Sequence, residues 1–404
     1  MKPHGMNAYV VRERAPLPPF RKPASQVRLN TGTIASRLDA QLRAAGLRVI
    51  HLDERSEGDP IEPHSLVVTD DLVVSDRFLE RMLAAIPDRS KNYQCEIESG
   101  RFAMLASKTA PRVYKKLPVR YRGTDPSAEF LPLRLDPVPV LEVMEGIPAR
   151  MQALTDICVC FFDMYAVELD YWFDLKTASS LYCREFVAGL LRPFRARVPE
   201  PILSRFTNSS WVMSKCNSIG RNTRIHPTAI LEGCVVGDRV EIGPYSYLRA
   251  SVIGDDAVLR EKSSVKTSYI GPSAFVMGSD IVNSYVGAET SIFCPMLYNV
   301  VFGERGFLSG GSGFADFIVG AESIPAMIDG KQVQSGLAFL ASAVGDDCFI
   351  GANLLFAPGR TIPDGTRLLD HGLIKSIPTT GGSFVVSGTD LLQIPDGFLT
   401  RKGG

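Results

Sequence analysis

The chain has 404 residues, 45% of them hydrophobic and 22% charged, with 44 Lys and Arg balanced by 44 Asp and Glu. Such a length exceeds one ordinary hydrophobic core and predicts two domains. Zero net charge argues against nucleic acid or an anionic membrane as partner, because both select basic surfaces.

No run approaches about 18 consecutive apolar residues, and the opening "MKPHGMNAYV" lacks the apolar core of a signal peptide. The expected location is therefore the cytoplasm. Eight cysteines (95, 158, 160, 183, 216, 234, 294 and 348) are scattered through apolar stretches without metal-like spacing. Cys158 and Cys160, two apart in "ICVCFF", read as buried thiols on one face of a strand.

Residues 6–200 alternate strand and helix patterns, which predicts an α/β domain. "NAYVV" (7–11) is a strand, and it runs into "VRERAPLPPFRKPAS" (11–25), a loop with four basic residues, four prolines and no glycine. Ile34, Leu38, Leu42 and Ala45 then share a helical face that ends at Gly46. "LRVIHL" is the next strand, and "SLVVTDDLVV" (65–74) is a near-continuous apolar strand broken by Asp70 and Asp71. A helix opens at Ser75. "ICVCFF" (157–162) is a buried strand, and "TASSLYCREFVAGLL" (177–191) is a helix capped by Thr177.

The texture changes near residue 219. An aliphatic or aromatic residue followed by glycine recurs at Gly220, Gly237, Gly254, Gly271, Gly287, Gly303, Gly320 and Gly345. Within each period apolar residues fall six and five apart, as in Val236, Ile242, Leu248, Ile253, Leu259 and Val265. One inward side chain every sixth position means short strands separated by corners, three strands to a coil. That is the hexapeptide-repeat β-helix. Glycine beside the inward aliphatic suits a corner by its φ freedom and by permitting close approach. Small residues such as Ser246, Ala257, Ser263, Ala274 and Thr290 suit the tight neighbouring position. The long last interval predicts a projecting loop within 322–342, after which the beat resumes at Val344, Ile350, Phe356 and Ile362. Four segments follow: an α/β domain (1–200), a linker (201–218), the β-helix (219–369) and a C-terminal cap (370–404).

Four motifs in this order resemble the sugar-1-phosphate nucleotidyltransferases whose catalytic domain precedes a left-handed β-helix. The bifunctional N-acetylglucosamine-1-phosphate uridylyltransferase/glucosamine-1-phosphate acetyltransferases and the mannose-1-phosphate guanylyltransferases are the nearest patterns. "PLPPFRKPAS" is similar to the family's Pro-Leu-Thr…Pro-Lys-Pro segment, and "LVVTDDLVV" to its strand ending in a metal-binding aspartate. "YWFDLKTASSLYC" is similar to its Trp-x-Asp-x-x-Thr element. "IDGKQVQSGLAFLASAVGDDCFIGANLLFAPG" is similar to the loop and following coils of the acetyltransferase half.

The resemblance implies a Rossmann-like nucleotidyltransferase domain followed by a left-handed β-helix. It implies attack of a sugar-1-phosphate on a nucleoside triphosphate, with charge handled by Mg²⁺ and basic side chains. Asp71 and Asp174 match the metal-binding aspartates and Lys22 the phosphate-contacting lysine, with Arg12, Arg14, Arg21 and Thr177 as further substrate contacts. Each has a plainer reading: Asp70-Asp71 as a turn, Asp174 as a helix cap or a partner of Lys176, and Arg21-Lys22 as a solvated loop face.

Two departures stand out. The family's glycine-rich phosphate loop is replaced by "RERAPLPPF", whose prolines donate no N–H. Lys266 stands where the acetyltransferase half carries a catalytic histidine. His226, in "IHPTAI", reads as a corner residue.

Three readings follow: a divergent nucleotidyltransferase, a catalytically silent nucleotide-sugar-binding or scaffolding oligomer, and an acyltransferase using acetyl-CoA. Partners implied are a sugar phosphate or nucleotide sugar and further copies of the chain, trimers by family analogy.

Overall fold

The structure, a computed structural model, describes residues 6–395 except 14, 30–31, 53–60, 99–113, 126, 138, 146–156, 196, 199–201, 203–209, 370–371, 375–376 and 388–389. Arg14 and His371 thus lie outside the described residues. Two compact units emerge: Met1–Pro16, Lys22–Asp170 and Ala188–Arg205 form the first, and Leu17–Arg21, Tyr171–Val187 and Phe206–Gly404 the second. Among the described residues, no helix is long and apolar enough to cross a membrane.

In the first unit, β1 (Asn7–Val11) pairs in parallel with β2 (Arg48–Leu52) on one side and β3 (Ser65–Thr69) on the other. The β1–β2 connection carries helix α1 (Ile34–Ala44), whose Thr33 hydroxyl accepts the Ser36 amide at 3.2 Å. Ile34, Leu38 and Leu42 are buried as their spacing predicts, and Gly46 follows with φ +86°. Beyond β3 the sheet continues through Tyr114–Arg122, Tyr93–Glu98 and Leu131–Leu135, of which Tyr114–Arg122 runs antiparallel to β3. The sheet is thus mixed, whereas a Rossmann-like sheet would be mostly parallel. Asp70 and Asp71 form the turn between β3 and Leu72–Val74, and those two strands belong to different sheets. Helix α2 (Phe78–Ala85) starts three residues later than the sequence suggests, because the Ser75 hydroxyl is occupied by the Tyr165 amide at 3.2 Å.

The second unit is a three-sided parallel β-helix. One face runs unbroken through eight strands from Ser218–Ile219 to Arg360–Ile362. A second runs from Arg224–Ile225 to Arg367–Leu369 and gains Ser383–Ser387 and Asp390–Ile394 as an antiparallel hairpin. The third has five strands from Ile230–Glu232 to Met296–Tyr298, then a separate three-stranded sheet. These parallel sheets fit a left-handed β-helix. Val236, Ile253, Ile270, Val286, Phe302, Val344 and Ile362 stack in one column of a continuous core that Phe384 joins at its end.

Glycine is needed here for proximity. A Cβ on Gly303 would lie 2.5 Å from the carbonyl oxygen of Gly345 in the next coil, while the left-handed corners fall on other residues, such as Asn283 (φ 48°) and Asn299 (φ 55°). Ser246, Ala257, Ser263, Ala274 and Thr290 are all buried.

Val319-Gly320 is not a coil, although it carries the same local signature. Phe302 pairs directly with Val344, and Val319 is 88% exposed. The projecting segment therefore opens after Phe314, where the Asp316 carbonyl accepts the Leu340 amide at 2.9 Å. It contains the hairpin Pro325–Ile328/Lys331–Gln334, turned by Asp329-Gly330 with both φ positive.

Candidate functional site

At the carboxyl ends of β1 and β3 the outgoing connections diverge, β1 toward β2 and β3 into the Asp70-Asp71 turn that leads to Leu72–Val74 of another sheet. Ligands of open α/β sheets bind at such switch points. Here the Glu13 amide donates to Asp70 Oδ1 at 2.8 Å, and the Asp70 amide donates to the Val11 carbonyl at 3.1 Å. The Thr69 hydroxyl donates to the Asp71 carboxylate. Burial raises the pKa of Asp70, against the pull of the Glu13 amide, the Ser25 hydroxyl and Arg12. Burial also raises Asp71, to about 7, with Glu168 and Glu13 adding repulsion. Asp71 is therefore a proton-exchanging carboxyl at neutral pH.

Of the residues expected from the sequence, Arg12, Lys22 and Asp71 belong to this unit. Arg12 is exposed and Lys22 half-buried. Asp174, Thr177 and Arg21 belong to the second unit; the first two make local contacts in or next to their helix, and Arg21 a distant one. Helix α3 (Trp172–Arg195) begins at Trp172, five residues earlier than expected. Its start is set by Asp174, whose carboxylate accepts the Tyr171 amide at 2.8 Å in capping-box fashion. Thr177 consequently lies inside the helix, its hydroxyl donating to the Phe173 carbonyl at 3.0 Å. The Arg21 amide donates to Asp364 Oδ2 at 2.7 Å. Among the described residues, no three His, Cys, Asp or Glu side chains converge as a metal site. Asp174 commits one carboxylate oxygen to the Tyr171 amide, and nothing among the described residues supports a magnesium site.

The β-helix carries a second polar constellation. Strands Ser264–Lys266, Asp280–Val282 and Met296–Tyr298 lie side by side on the third face, pointing Val265, Ile281 and Leu297 inward. Lys266 Nζ stands 3.5 Å from Asp280 Oδ1, and the Tyr298 hydroxyl donates to Asp280 Oδ2. Burial opposes ionisation of Asp280, but the Tyr298 and Ser264 hydroxyls and Lys266 overcome it and hold the carboxyl below its usual range. Burial, with Asp280 opposite, pushes Tyr298 up to about 12. This trio is locked: an anion, its paired cation and a neutral phenol.

Asp316 differs. It sits where the projecting segment leaves the coil, is only partly buried, and accepts Asn299 Nδ2 at 2.8 Å. Burial raises its pKa, opposed by the Asn299 hydrogen bond and by Lys176. A partly exposed carboxyl with raised basicity is the equipment of a general base. No motif in the sequence marks it; a lone aspartate in "GFADF" becomes significant only through the coil it closes.

Other features are structural. His226 Nδ1 receives the Thr228 amide at 3.2 Å in a coil corner, and His226 lines a groove of about 730 Å³ with Arg224, Glu241, Arg260 and Glu261 among others. Burial pushes the thiols of Cys95, Cys183, Cys234 and Cys348 up to about 12, so they are inert.

No protein-family model matches the sequence, and no curated protein matches it. Similar solved structures include three acetyltransferases, each aligned over 44% of this chain. One is an alanine mutant of GDP-perosamine N-acetyl transferase from Caulobacter crescentus in complex with CoA and GDP-perosamine (16% identity, TM-score 0.15), of which this chain spans 57%. The others are the polySia specific acetyltransferase NeuO (13% identity, 80% of its length, TM-score 0.21) and the polysialic acid O-acetyltransferase OatWY (12%, 88%, TM-score 0.19). At these scores the β-helix is established by its own strand pairing.

Proposed function

We propose that the chain is an acyltransferase that moves an acyl group from acetyl-CoA to an amine or hydroxyl of a sugar phosphate or nucleotide sugar, working on the β-helix. The observation that supports it is Asp316: a partly exposed carboxyl of raised basicity, at the base of the projecting hairpin, near the Tyr298–Asp280–Lys266 trio. In this reading the acceptor N–H or O–H gives its proton to Asp316 as the acceptor attacks the thioester carbonyl. The tetrahedral intermediate collapses with departure of the CoA thiolate, which takes up a proton. Lys266 is paired with Asp280 in this reading and is not the base.

Thiol release from acetyl-CoA with a panel of amino-sugar and sugar-nucleotide acceptors tests this. Asp316→Asn should lower kcat by about 10²-fold or more. Absence of thiol release with every acceptor overturns the reading.

A second reading, a divergent sugar-1-phosphate nucleotidyltransferase, is favoured by Arg12, Glu13, Asp70 and Asp71 at the β1/β3 switch point. Pyrophosphate release from a nucleoside triphosphate and a sugar-1-phosphate, abolished by Asp71→Asn, would support it. Nucleotide-sugar binding without turnover would instead indicate the silent relative. We also propose a homo-oligomer. The ladder Phe275–Phe293–Phe307–Phe349, with centroids 4.9–5.5 Å apart, lies along the outward side of the second face.

A further inference from the structure

We propose that Lys176 is a positioning residue which, through the side-chain amide of Asn299, orients the Asp316 carboxylate for proton transfer. The proposal rests on the acyltransferase reading above and adds a residue on α3 to the β-helix site.

Three contacts carry it. Lys176 Nζ donates to Asn299 Oδ1 at 3.3 Å, Asn283 Nδ2 donates to the same oxygen at 2.6 Å, and Asn299 Nδ2 donates to Asp316 Oδ2 at 2.8 Å. Lys176 is 4% exposed, and Asn283 and Asn299 are 2% and 7% exposed. A buried ammonium is expensive unless something answers its charge, and Asp316 is the carboxylate that faces it. Its other charged neighbour is Arg184, from the next turns of α3, and Asp316 also faces Tyr298.

An amide has one acceptor end and one donor end. With the ammonium and the Asn283 amide both on Oδ1, the Asn299 side chain is fixed so that Nδ2 points at Asp316. Both asparagines hold left-handed corner conformations, φ 48° and 55°, so their backbones are equally fixed. The Asn299 carbonyl also accepts the Ala341 amide at 3.1 Å as the chain rejoins the coil. The relay thus spans both ends of the projecting segment. Burial lowers the Lys176 pKa to about 8, against the pull of Asp316, so below that pH the ammonium is a positive charge favouring the anionic, proton-accepting form of the base.

The test compares Lys176→Met, Lys176→Arg and Asn299→Gly with the full-length protein. Glycine suits the corner φ of residue 299 and removes the relay, so it serves if Lys176→Met does not fold. Two quantities are read: the pH profile of kcat/KM for acyl transfer, and the titration of Asp316 by its ¹³C carboxyl shift, assigned through Asp316→Asn. In Lys176→Met and Asn299→Gly the acid limb should move to higher pH, lowering kcat/KM on that limb with recovery at high pH. Lys176→Arg should restore the wild-type profile. The carboxyl titration should move upward in the same variants. An Asp316 titration unchanged in both variants overturns the proposal. If the titration shifts while the wild-type protein transfers no acyl group, the positioning holds and the acyltransferase reading falls.

Discussion

The main-chain N–H of Arg21 donates to the carboxylate of Asp364 at 2.7 Å across 343 residues of sequence. Asp364 accepts a second amide, that of Asp346, on its other oxygen at 2.7 Å, and it is 9% exposed. Leu17 and Phe20 beside Arg21 are 2% and 3% exposed. The Leu17–Arg21 part of the proline-rich stretch thus belongs with the β-helix, and its Arg21 N–H is committed to the last coils.

Replacing Asp364 by Ala leaves the buried Asp346 amide and the part-buried Arg21 amide without their acceptor. An unsatisfied buried donor costs about 1–3 kcal/mol, so urea unfolding should report a loss of that order. Asp364→Asn keeps one acceptor oxygen and should lose roughly half as much. Equal losses in the two variants would show that the amides find other partners.

Asp71 gives a pH-dependent prediction. Its native pKa, about 7, lies above the ordinary carboxylate value, so the folded chain holds this proton more tightly than the unfolded chain. The associated stability is complete below about pH 4 and is lost as pH rises toward 7. Asp71→Asn lacks this loss. The stability gap between variant and wild type should widen in the variant's favour from pH 4.5 to pH 7.5, by an amount on the order of a few kcal/mol. A gap independent of pH would mean that Asp71 ionises normally.

The aromatic ladder of the second face predicts assembly. Phe349 is 37% exposed and stacks on Phe307 at 4.9 Å, in a row where Val258 and Phe275 also point outward. A glutamate at Phe349 or Phe307 should lower the molar mass found by light scattering to that of one chain. The equivalent change at Val319, exposed on the projecting segment, should leave it unaltered. A wild-type chain that is monomeric at every concentration would contradict the assembly.

Much of the fold was legible because a coil is a local object. The six-residue beat needs only neighbouring strands, and Val236, Ile253, Ile270 and Val286 stack as the spacing requires. The same locality misled at Val319-Gly320, whose two letters match a coil while their surroundings do not. Helix α3 was set five residues too late because Thr177 is a good cap by type, yet Asp174 reaches back to the Tyr171 amide and fixes an earlier start. The candidate site was the least legible part. Lys176, Asn299 and Asp316 are separated by more than a hundred residues in one case, and the closest pair contact is held across a coil corner. Nothing in their local sequence distinguishes them from surface or capping residues.

The third face of the β-helix stops after Met296–Tyr298 and restarts as a separate sheet, while the other two faces run through without interruption. In mechanical terms the coil stack is a rod notched on one side. Tension applied between Ser218 and Leu369 meets two continuous ladders of hydrogen bonds and one broken one. Under force the coils on either side of the notch should part first, as two blocks, before any single coil peels from an end.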